Sequence, residues 1–351
     1  MRTKITDWFQ SNYPELFDLM KSTTHTHSNG RPNPFHLEGS VLAHTNMVLD
    51  LLEDSNDIDF LFAGLFHDLG KIYTRKEKEN GRVSFSKHEN VSMFKSIDIL
   101  NKAKKEGFNI DILRVLKLIN WHGSFWVRAD EELKDRLSDI DLKYGNDLNI
   151  YYSLLSFTKA DAFGRTMQSS SEKERLSDFF VLLNNYTPYN HLKYPKHKPD
   201  KEVVFLIGPS GSGKSTYLKN NNDRFKDYSI ISIDSFFDEK KLDYNSIDYS
   251  KNIDKAWKKV LNDISKNVDS NKNIVIDMTN LSVIDRFKLL KRFPTTKYNH
   301  SAFVFLKGEN FIREKNKFRE GKKIPTSVIN KQIENFEIPT FKEFSSIEYI
   351  F

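Results

Sequence analysis

Apolar positions recur at helical spacing through the first half of the chain and in short uninterrupted runs through the second. Val41, Leu42, His44, Val48, Leu49 and Leu52 share one broad helical face, and Ile58 to Leu69, Val91 to Leu100, Ile110 to Ile119 and Asn149 to Phe163 repeat the pattern. These segments predict an all-helical bundle. Thr187 to Pro199 then carries three prolines and no apolar periodicity. It breaks helical structure and predicts a linker over 187–200, between a domain of residues 1–186 and another of residues 201–351. Val203 to Ile207, Tyr228 to Ile233, Ile274 to Ile276 and Ala302 to Leu306 are short, apolar, β-branched runs separated by helical stretches. That alternation predicts an α/β domain with a parallel sheet.

The length, 351 residues, suits two domains at roughly 100 to 200 residues each. No apolar run approaches the roughly 20 residues that span a bilayer, and the first residues lack the apolar stretch of a signal peptide, so a cytoplasmic protein with no membrane partner is expected. With no cysteine, the chain has no disulfides, thiol nucleophile or zinc-thiolate site, and any metal must be held by histidine and carboxylate. Residues 1–200 hold 27 Lys+Arg against 28 Asp+Glu, or −1, and residues 201–351 hold 27 against 20, or +7, summing to +6. The basic excess of the second half suits either a polyanionic partner or a solvated lysine-rich surface.

Gly208-Pro-Ser-Gly-Ser-Gly-Lys-Ser-Thr216 follows the strand Val203 to Ile207 and fits G-x-x-x-x-G-K-[ST]. Gly208, Gly211 and Gly213, with Ser210 and Ser212 between them, let backbone N–H groups wrap a triphosphate. Lys214 neutralises its outer oxygens, Ser215 reaches Mg²⁺, Thr216 completes the cofactor-binding loop, and the following helix aims its positive end at the site. ATP or another nucleoside triphosphate with Mg²⁺ is the expected cofactor. Asp234 ends the second strand region, at the sheet edge where a base could take a proton from an attacking hydroxyl, or it caps the next segment. Asp277, in Ile274-Val-Ile-Asp277-Met-Thr-Asn280, ends the third apolar run as a carboxylate suited to the Mg²⁺ sphere, with Thr279 and Asn280 as candidates to orient an acceptor.

Asp-x-Thr-Asn after a strand, then Arg313-Glu-Lys315-Asn-Lys-Phe-Arg319-Glu-Gly-Lys-Lys-Ile-Pro325 and a terminal helix with Val328, Ile329 and Phe336, resembles the kinase domain of phage and bacterial 5′-OH polynucleotide kinases over roughly residues 202–345. The resemblance implies γ-phosphate transfer to a 5′-hydroxyl end of RNA or DNA, with Lys214 and Ser215 on phosphates and metal, Asp234 as general base and Arg319 in a lid over the phosphates. Arg313 and Lys315 lie on the same lid segment. Where such kinases often place an arginine soon after the base, this chain has Asp234-Ser-Phe-Phe-Asp-Glu-Lys240, so an acceptor clamp falls to Lys240, Lys241 or Arg286.

The first half carries His44, then Leu65-Phe-His67-Asp68-Leu-Gly-Lys71, His88, His122 and Lys159-Ala-Asp161-Ala-Phe-Gly-Arg165. A helical histidine, an adjacent His-Asp pair and a later helical aspartate can converge on a divalent ion, and mixed N/O donors suit Mn²⁺, Ni²⁺, Co²⁺, Fe²⁺ or Zn²⁺. Such an ion supports phosphoester hydrolysis. The order His, His-Asp, His, His, Asp resembles the HD phosphohydrolase superfamily over about residues 36–183. It implies His44, His67, Asp68 and Asp161 as the basic metal set, with His88 and His122 on a second ion or the scissile phosphate and Asp68 and Lys71 in catalysis. Arg165, one turn beyond Asp161, is a further candidate. His25, His27, His36, His191 and His197 fall in loop or linker sequence and read as ordinary histidines.

Together the halves resemble bacterial HD-domain polynucleotide kinases. This implies a bifunctional end-healing enzyme that phosphorylates 5′-OH ends and hydrolyses 2′,3′-cyclic phosphate or 2′/3′-phosphate ends, leaving joining to a separate RNA ligase. The alternatives are a nucleotide-metabolism enzyme with a small-molecule kinase, and a nucleotide-sensing regulatory ATPase.

Overall fold

The computed structural model describes residues 1–34, 36–126, 131–167, 169–190, 199–242, 247–319 and 323–351, with 247–250 by backbone alone. Most of the expected linker, His191, His197 and Gly321 lie outside the described residues. The chain divides into two compact units, Met1–Asn190 and His191–Phe351.

The first unit is helical: α1 (Arg2–Asn12), α2 (Pro14–Ser22), α3 (Val41–Leu52), α4 (Ile58–Phe66), α5 (Lys71–Thr74), α6 (His88–Lys105), α7 (Ile112–Trp121), α8 (Leu133–Tyr144), α9 (Leu148–Phe163) and α10 (Ser170–Asn184), with a small hairpin of β1 (Lys76–Glu77) and β2 (Val83–Ser84). Helix α4 is its centre. Every residue from Asp59 to Phe66 is buried, which suits a helix apolar on all sides, and α1, α3, α6, α7 and α9 pack around it. Its start is fixed by Asp57, whose carboxylate accepts from the Asp59 and Phe60 N–H groups. It stops at Phe66, earlier than the apolar pattern through Leu69 predicts, because Gly70 passes against α6. A Cβ there would lie 2.2 Å from the His88 carbonyl oxygen and 2.6 Å from the Ser92 nitrogen. Only glycine permits the approach that brings the His67-Asp68 turn onto α6.

The second unit is a five-stranded parallel sheet with strand order β4-β5-β3-β6-β7: β3 (Lys201–Ile207), β4 (Tyr228–Ile231), β5 (Asn273–Asp277), β6 (Tyr298–Phe305) and β7 (Ser346–Ile350). Between them run α11 (Lys214–Asn220), α12 (Asn222–Phe225), α13 (Asp234–Glu239), α14 (Ile247–Asp269), α15 (Val283–Leu290), α16 (Glu309–Lys317) and α17 (Thr326–Glu334). Val204, Leu206, Val275, Phe303 and Phe305 pack one sheet face against Leu218 and Phe225, while Phe205 on the other face meets Phe293 and Phe344. Burial on both faces explains the unbroken apolar runs. Leu206 pairs with Asp277, so the carboxyl ends of β3 and β5 open side by side. Strand β7 escapes the apolar pattern, since its side chains are only partly covered or exposed at the sheet edge. Phe336 lies beyond the end of α17, buried nonetheless. Among the described residues no helix is long and apolar enough to cross a membrane.

Candidate active sites

In the first unit, residues far apart in sequence converge where α3, the end of α4, α6, α7 and α9 meet. Asp161 Oδ1 lies 2.9 Å from His44 Nε2 and 3.4 Å from His67 Nε2. Asp68 Oδ2 stands 3.4 Å from His67 Nε2 and 3.6 Å from His44 Nε2, and its Oδ1 is 3.2 Å from His88 Nε2. The ring of His122 packs edge-on against those of His67 and His88.

The opposite ring nitrogens settle the tautomers. His67, His88 and His122 direct Nδ1 at the carbonyls of Gly64, Phe85 and Ile119, at 2.8, 2.9 and 2.7 Å, and His44 directs Nδ1 at Glu38 Oε1, at 3.3 Å. Carbonyls only accept, so the Nδ1 atoms of His67, His88 and His122 carry hydrogen and their Nε2 atoms face the cluster, whereas both ring nitrogens of His44 face carboxylates, Nδ1 at Glu38 and Nε2 at Asp161. This is how metal-ligating histidines are oriented.

His67 Nε2 and both Asp68 oxygens are buried and accept no aligned hydrogen bond, which is the condition of ligands prepared for a cation. Burial works against charge on His67, but Asp68 and Asp161 override it and push the imidazole up to about 10. Burial likewise opposes ionisation of Asp68, yet Lys71 and His67 hold it well below the usual carboxylate range. The cluster thus keeps its carboxylate charge, as a divalent ion would require of it. Two donor groups, His44-His67-Asp68 and Asp68-His88-His122, share Asp68 and fit one or two such ions. A divalent ion held there supplies Lewis acidity toward a phosphoryl oxygen and acidifies water. Asp161 retains a side-chain exposure of 16%, which leaves the cluster open on its side.

Lys71 Nζ lies 2.8 Å from Asp68 Oδ2. Arg165 pairs with Glu172 at 2.9 Å. The structure departs from the sequence at two histidines. His25 and His36 are not idle loop residues: His25 is fully buried, and both place Nε2 against the Lys71 ammonium, at 3.3 and 3.4 Å. His27 keeps an ordinary role, its Nδ1 accepting from the Val83 N–H.

In the second unit, Gly211 and Gly213 take φ of +85° and +96°, the left-handed region that favours glycine, and turn the loop back over the end of β3. Lys214 Nζ donates to the carbonyls of Gly208 and Pro209 at 2.8 and 2.9 Å. Burial pushes Lys214 down to about 8, with Arg319 adding to the effect and Asp277 and Asp234 opposing it. Ser215 Oγ donates to Asp277 Oδ2 at 3.3 Å, and burial raises the Asp277 carboxyl. The hydroxyl and carboxylate oxygen therefore stand together at the loop, as a hard cation such as Mg²⁺ requires. Asp234, Asp277 and Arg319 thus all stand near enough to act on the Lys214 charge, and Ser215 joins them through Asp277.

Gln332 on α17 was not visible as a site residue in the sequence: its Oε1 accepts from the Ser210 N–H at 2.9 Å and its Nε2 donates to Ser210 Oγ at 3.1 Å, pinning the loop. Two sequence candidates are otherwise engaged. Arg286 is fully buried, bonded to Glu343 and to the carbonyls of Asn280, Leu281 and Glu337, so it braces the fold and has no donor to offer an acceptor. The Asn280 amide nitrogen donates to the carbonyls of Leu206 and Ile276 at 2.8 and 3.2 Å, tying β3 to β5.

Residues 41–157 match the family described as HD domain, and residues 203–339 match the family described as AAA domain. An N-terminal HD domain is thus joined to a C-terminal P-loop kinase-like domain. A gluconokinase from Sinorhizobium meliloti 1021 is similar in structure, with a TM-score of 0.31 and 19% identity, over 43% of this chain and 83% of its own. No curated protein matches the chain.

Proposed function

We propose that this fusion of an HD hydrolase domain and a P-loop kinase-like domain heals nucleic-acid ends, phosphorylating a 5′-hydroxyl and hydrolysing a 2′,3′-cyclic phosphate or a 2′/3′-phosphate. The observation that carries the reading is the presence on one chain of two candidate centres, a His/Asp cluster that could hold divalent ions and a phosphate-binding loop. Many ribonucleolytic cuts leave a 5′-OH opposite a 2′,3′-cyclic phosphate, and one chain with both centres corrects both ends. The +7 charge of residues 201–351, from 27 Lys+Arg against 20 Asp+Glu, fits a polyanionic acceptor for the kinase centre.

In the kinase step the 5′-oxygen bonds to the γ-phosphorus of ATP as the bond to the β-phosphate oxygen breaks. The hydroxyl proton passes to Asp234, and ADP leaves. Lys214 exchanges its loop carbonyls for phosphate oxygens, and Arg319 offsets charge on the transferring group. For hydrolysis His44, His67, Asp68 and Asp161 would hold the ion, with His88 and His122 beside them and Lys71 toward the phosphate, and the ion would supply Lewis acidity and an acidified water.

The test incubates the protein with [γ-³²P]ATP, Mg²⁺ and a 5′-OH oligonucleotide, then with Mn²⁺, Ni²⁺ or Co²⁺ and an oligonucleotide ending in a 2′,3′-cyclic phosphate. Labelled 5′ ends and opened 3′ ends are expected. Activity confined to mononucleosides would assign the chain to nucleotide metabolism, and ATP hydrolysis without a phosphorylated acceptor to a regulatory ATPase.

A further inference from the structure

The loop between α2 and α3 returns on itself through the His25 N–H, which donates to the Gly39 carbonyl at 2.7 Å, and a bridge between Thr24 and Ser40. This brings His25 and His36 into a stacked pair, with centroids 4.1 Å apart and planes 15° from parallel. The edge of His25 meets Phe85, and Lys71 Nζ lies 5.6 Å from the same phenyl ring. His36 Nδ1 lies 2.8 Å from Glu38 Oε1, which can only accept, so His36 Nε2 offers its lone pair to Lys71. The ammonium has three protons, two of them for the hydrogen bonds to His25 Nε2 at 3.3 Å and His36 Nε2 at 3.4 Å, and it forms an ion pair with Asp68 Oδ2 at 2.8 Å.

We propose that His25 and His36 form, with Lys71, an anion subsite beside the metal cluster that takes the terminal phosphate of a substrate end. The assignment deepens the hydrolase reading and rests on it. His25, His36 and Glu38 also stand close enough together to share a cation. The Lys71 ammonium already occupies the space between the two Nε2 atoms, however, and Glu38 is engaged on the far side of the His36 ring, so the group is a cage for a lysine. Two neutral imidazoles fix the ammonium without cancelling its charge, and a prepositioned cation binds an anion with less ordering cost than a free lysine. When Asp68 serves a metal ion, its hold on Lys71 weakens, and the third ammonium proton is available to a phosphate oxygen. His25 and His36 are thus positioning residues that act through Lys71.

The test measures binding of inorganic phosphate by calorimetry to the full-length protein loaded with Mn²⁺, in a Lys214→Ala background so that the phosphate loop does not contribute. Bound metal is quantified by plasma emission spectroscopy. His25→Phe keeps a ring for the stack and removes the acceptor, whereas His25→Gln and His36→Gln keep an acceptor and remove the ring. Losing one hydrogen bond to a charged group should weaken phosphate binding about tenfold in His25→Phe. Both Gln variants should stay within about threefold of the parent, with metal content equal throughout. On a 3′-phosphate oligonucleotide the same pattern should appear in KM more than in kcat. Unchanged phosphate affinity in metal-replete His25→Phe overturns the subsite, as does loss of metal in all three variants, which would make the pair a support of the cluster alone. If the parent hydrolyses no phosphate end but phosphate binding follows the pattern, the hydrolase reading fails and the subsite stands.

Discussion

In the first unit the Nδ1 atoms of His67, His88 and His122 are held by backbone carbonyls, so the side chains of the cluster are oriented by partners outside it. In the second unit the chief cation, Lys214, is folded back on the carbonyls of its own loop and must let go of them to meet phosphate. The difference follows from the ligands. A metal ion is small and tolerates little error in donor placement, so its site needs side chains locked by second partners. A triphosphate is large and recognised by a run of backbone N–H groups, so its site needs loop geometry first and can recruit charge afterwards.

The sharpest break of that comparison is to remove one charge from each centre. Asp68→Ala takes away the carboxylate common to both donor groups and leaves the buried imidazoles without it. Hydrolysis of phosphate ends should fall by about 10³-fold or more with metal content lost, while 5′-phosphorylation stays within a few-fold. Lys214→Ala should reverse the pattern. If Asp68→Ala loses both activities while folded and monodisperse, the two centres are not independent.

Asp234→Asn tests the recruited side of the kinase centre. Loss of a general base costs about 10² to 10⁴-fold, and the fall should appear in kcat with ATP affinity preserved. A rate near that of the parent would move the base elsewhere.

The two centres also differed in how far the sequence exposed them. Gly208 to Thr216 is contiguous and its neighbours are fixed by strand ends, so Lys214, Asp234 and Asp277 could be placed together from spacing alone. His44, His67, Asp68 and Asp161 came from helical spacing and motif order. His25 and His36 did not, because their loop has no periodicity and its closure rests on single backbone bonds such as that from His25 to Gly39. Arg286 was misjudged for a related reason: its partner Glu343 is 57 residues away, so its burial leaves no local mark. Helix α1 buries only Ile5 and Phe9, too few positions to set a helical pattern.

Arg286→Ala separates bracing from binding. Breaking a buried ion pair costs about 3 to 5 kcal/mol, because the partner charge is left uncompensated. A loss of that size in denaturant unfolding of the second unit should accompany an unchanged KM for the 5′-OH end in the protein that remains folded. A raised KM with unchanged stability would restore Arg286 as a clamp.

A smaller effect is expected from pH. Lys214 is pushed down to about 8, chiefly by burial, so its ammonium is lost as pH rises through that value. The neutral amine attracts no phosphate, and ATP affinity of the free protein should fall about tenfold between pH 7 and 9. Lys214→Arg keeps its charge across that range, so whatever affinity it has should be flat. A flat profile in the parent would mean that the loop carbonyls keep the ammonium charged.

The smallest effect separates the cations of α16. Arg313 is engaged within its own unit, its Nε donating to Glu309 Oε1 at 2.7 Å and its NH2 to Asn330 Oδ1 at 2.6 Å, which ties α16 to α17. The Lys315 ammonium lies over the Phe311 ring, 5.5 Å from its centroid, a contact it can leave at little cost. Each phosphate contact on a single strand contributes about −0.7 to the slope of log K against log salt. Lys315→Ala should therefore flatten the slope for oligonucleotide binding by about that amount, and Arg313→Ala should leave it unchanged while loosening the packing of the two helices. Equal changes in both variants would mean that Arg313 releases its partners for the strand. No change in either would reduce the positive charge of α16 to solvated surface.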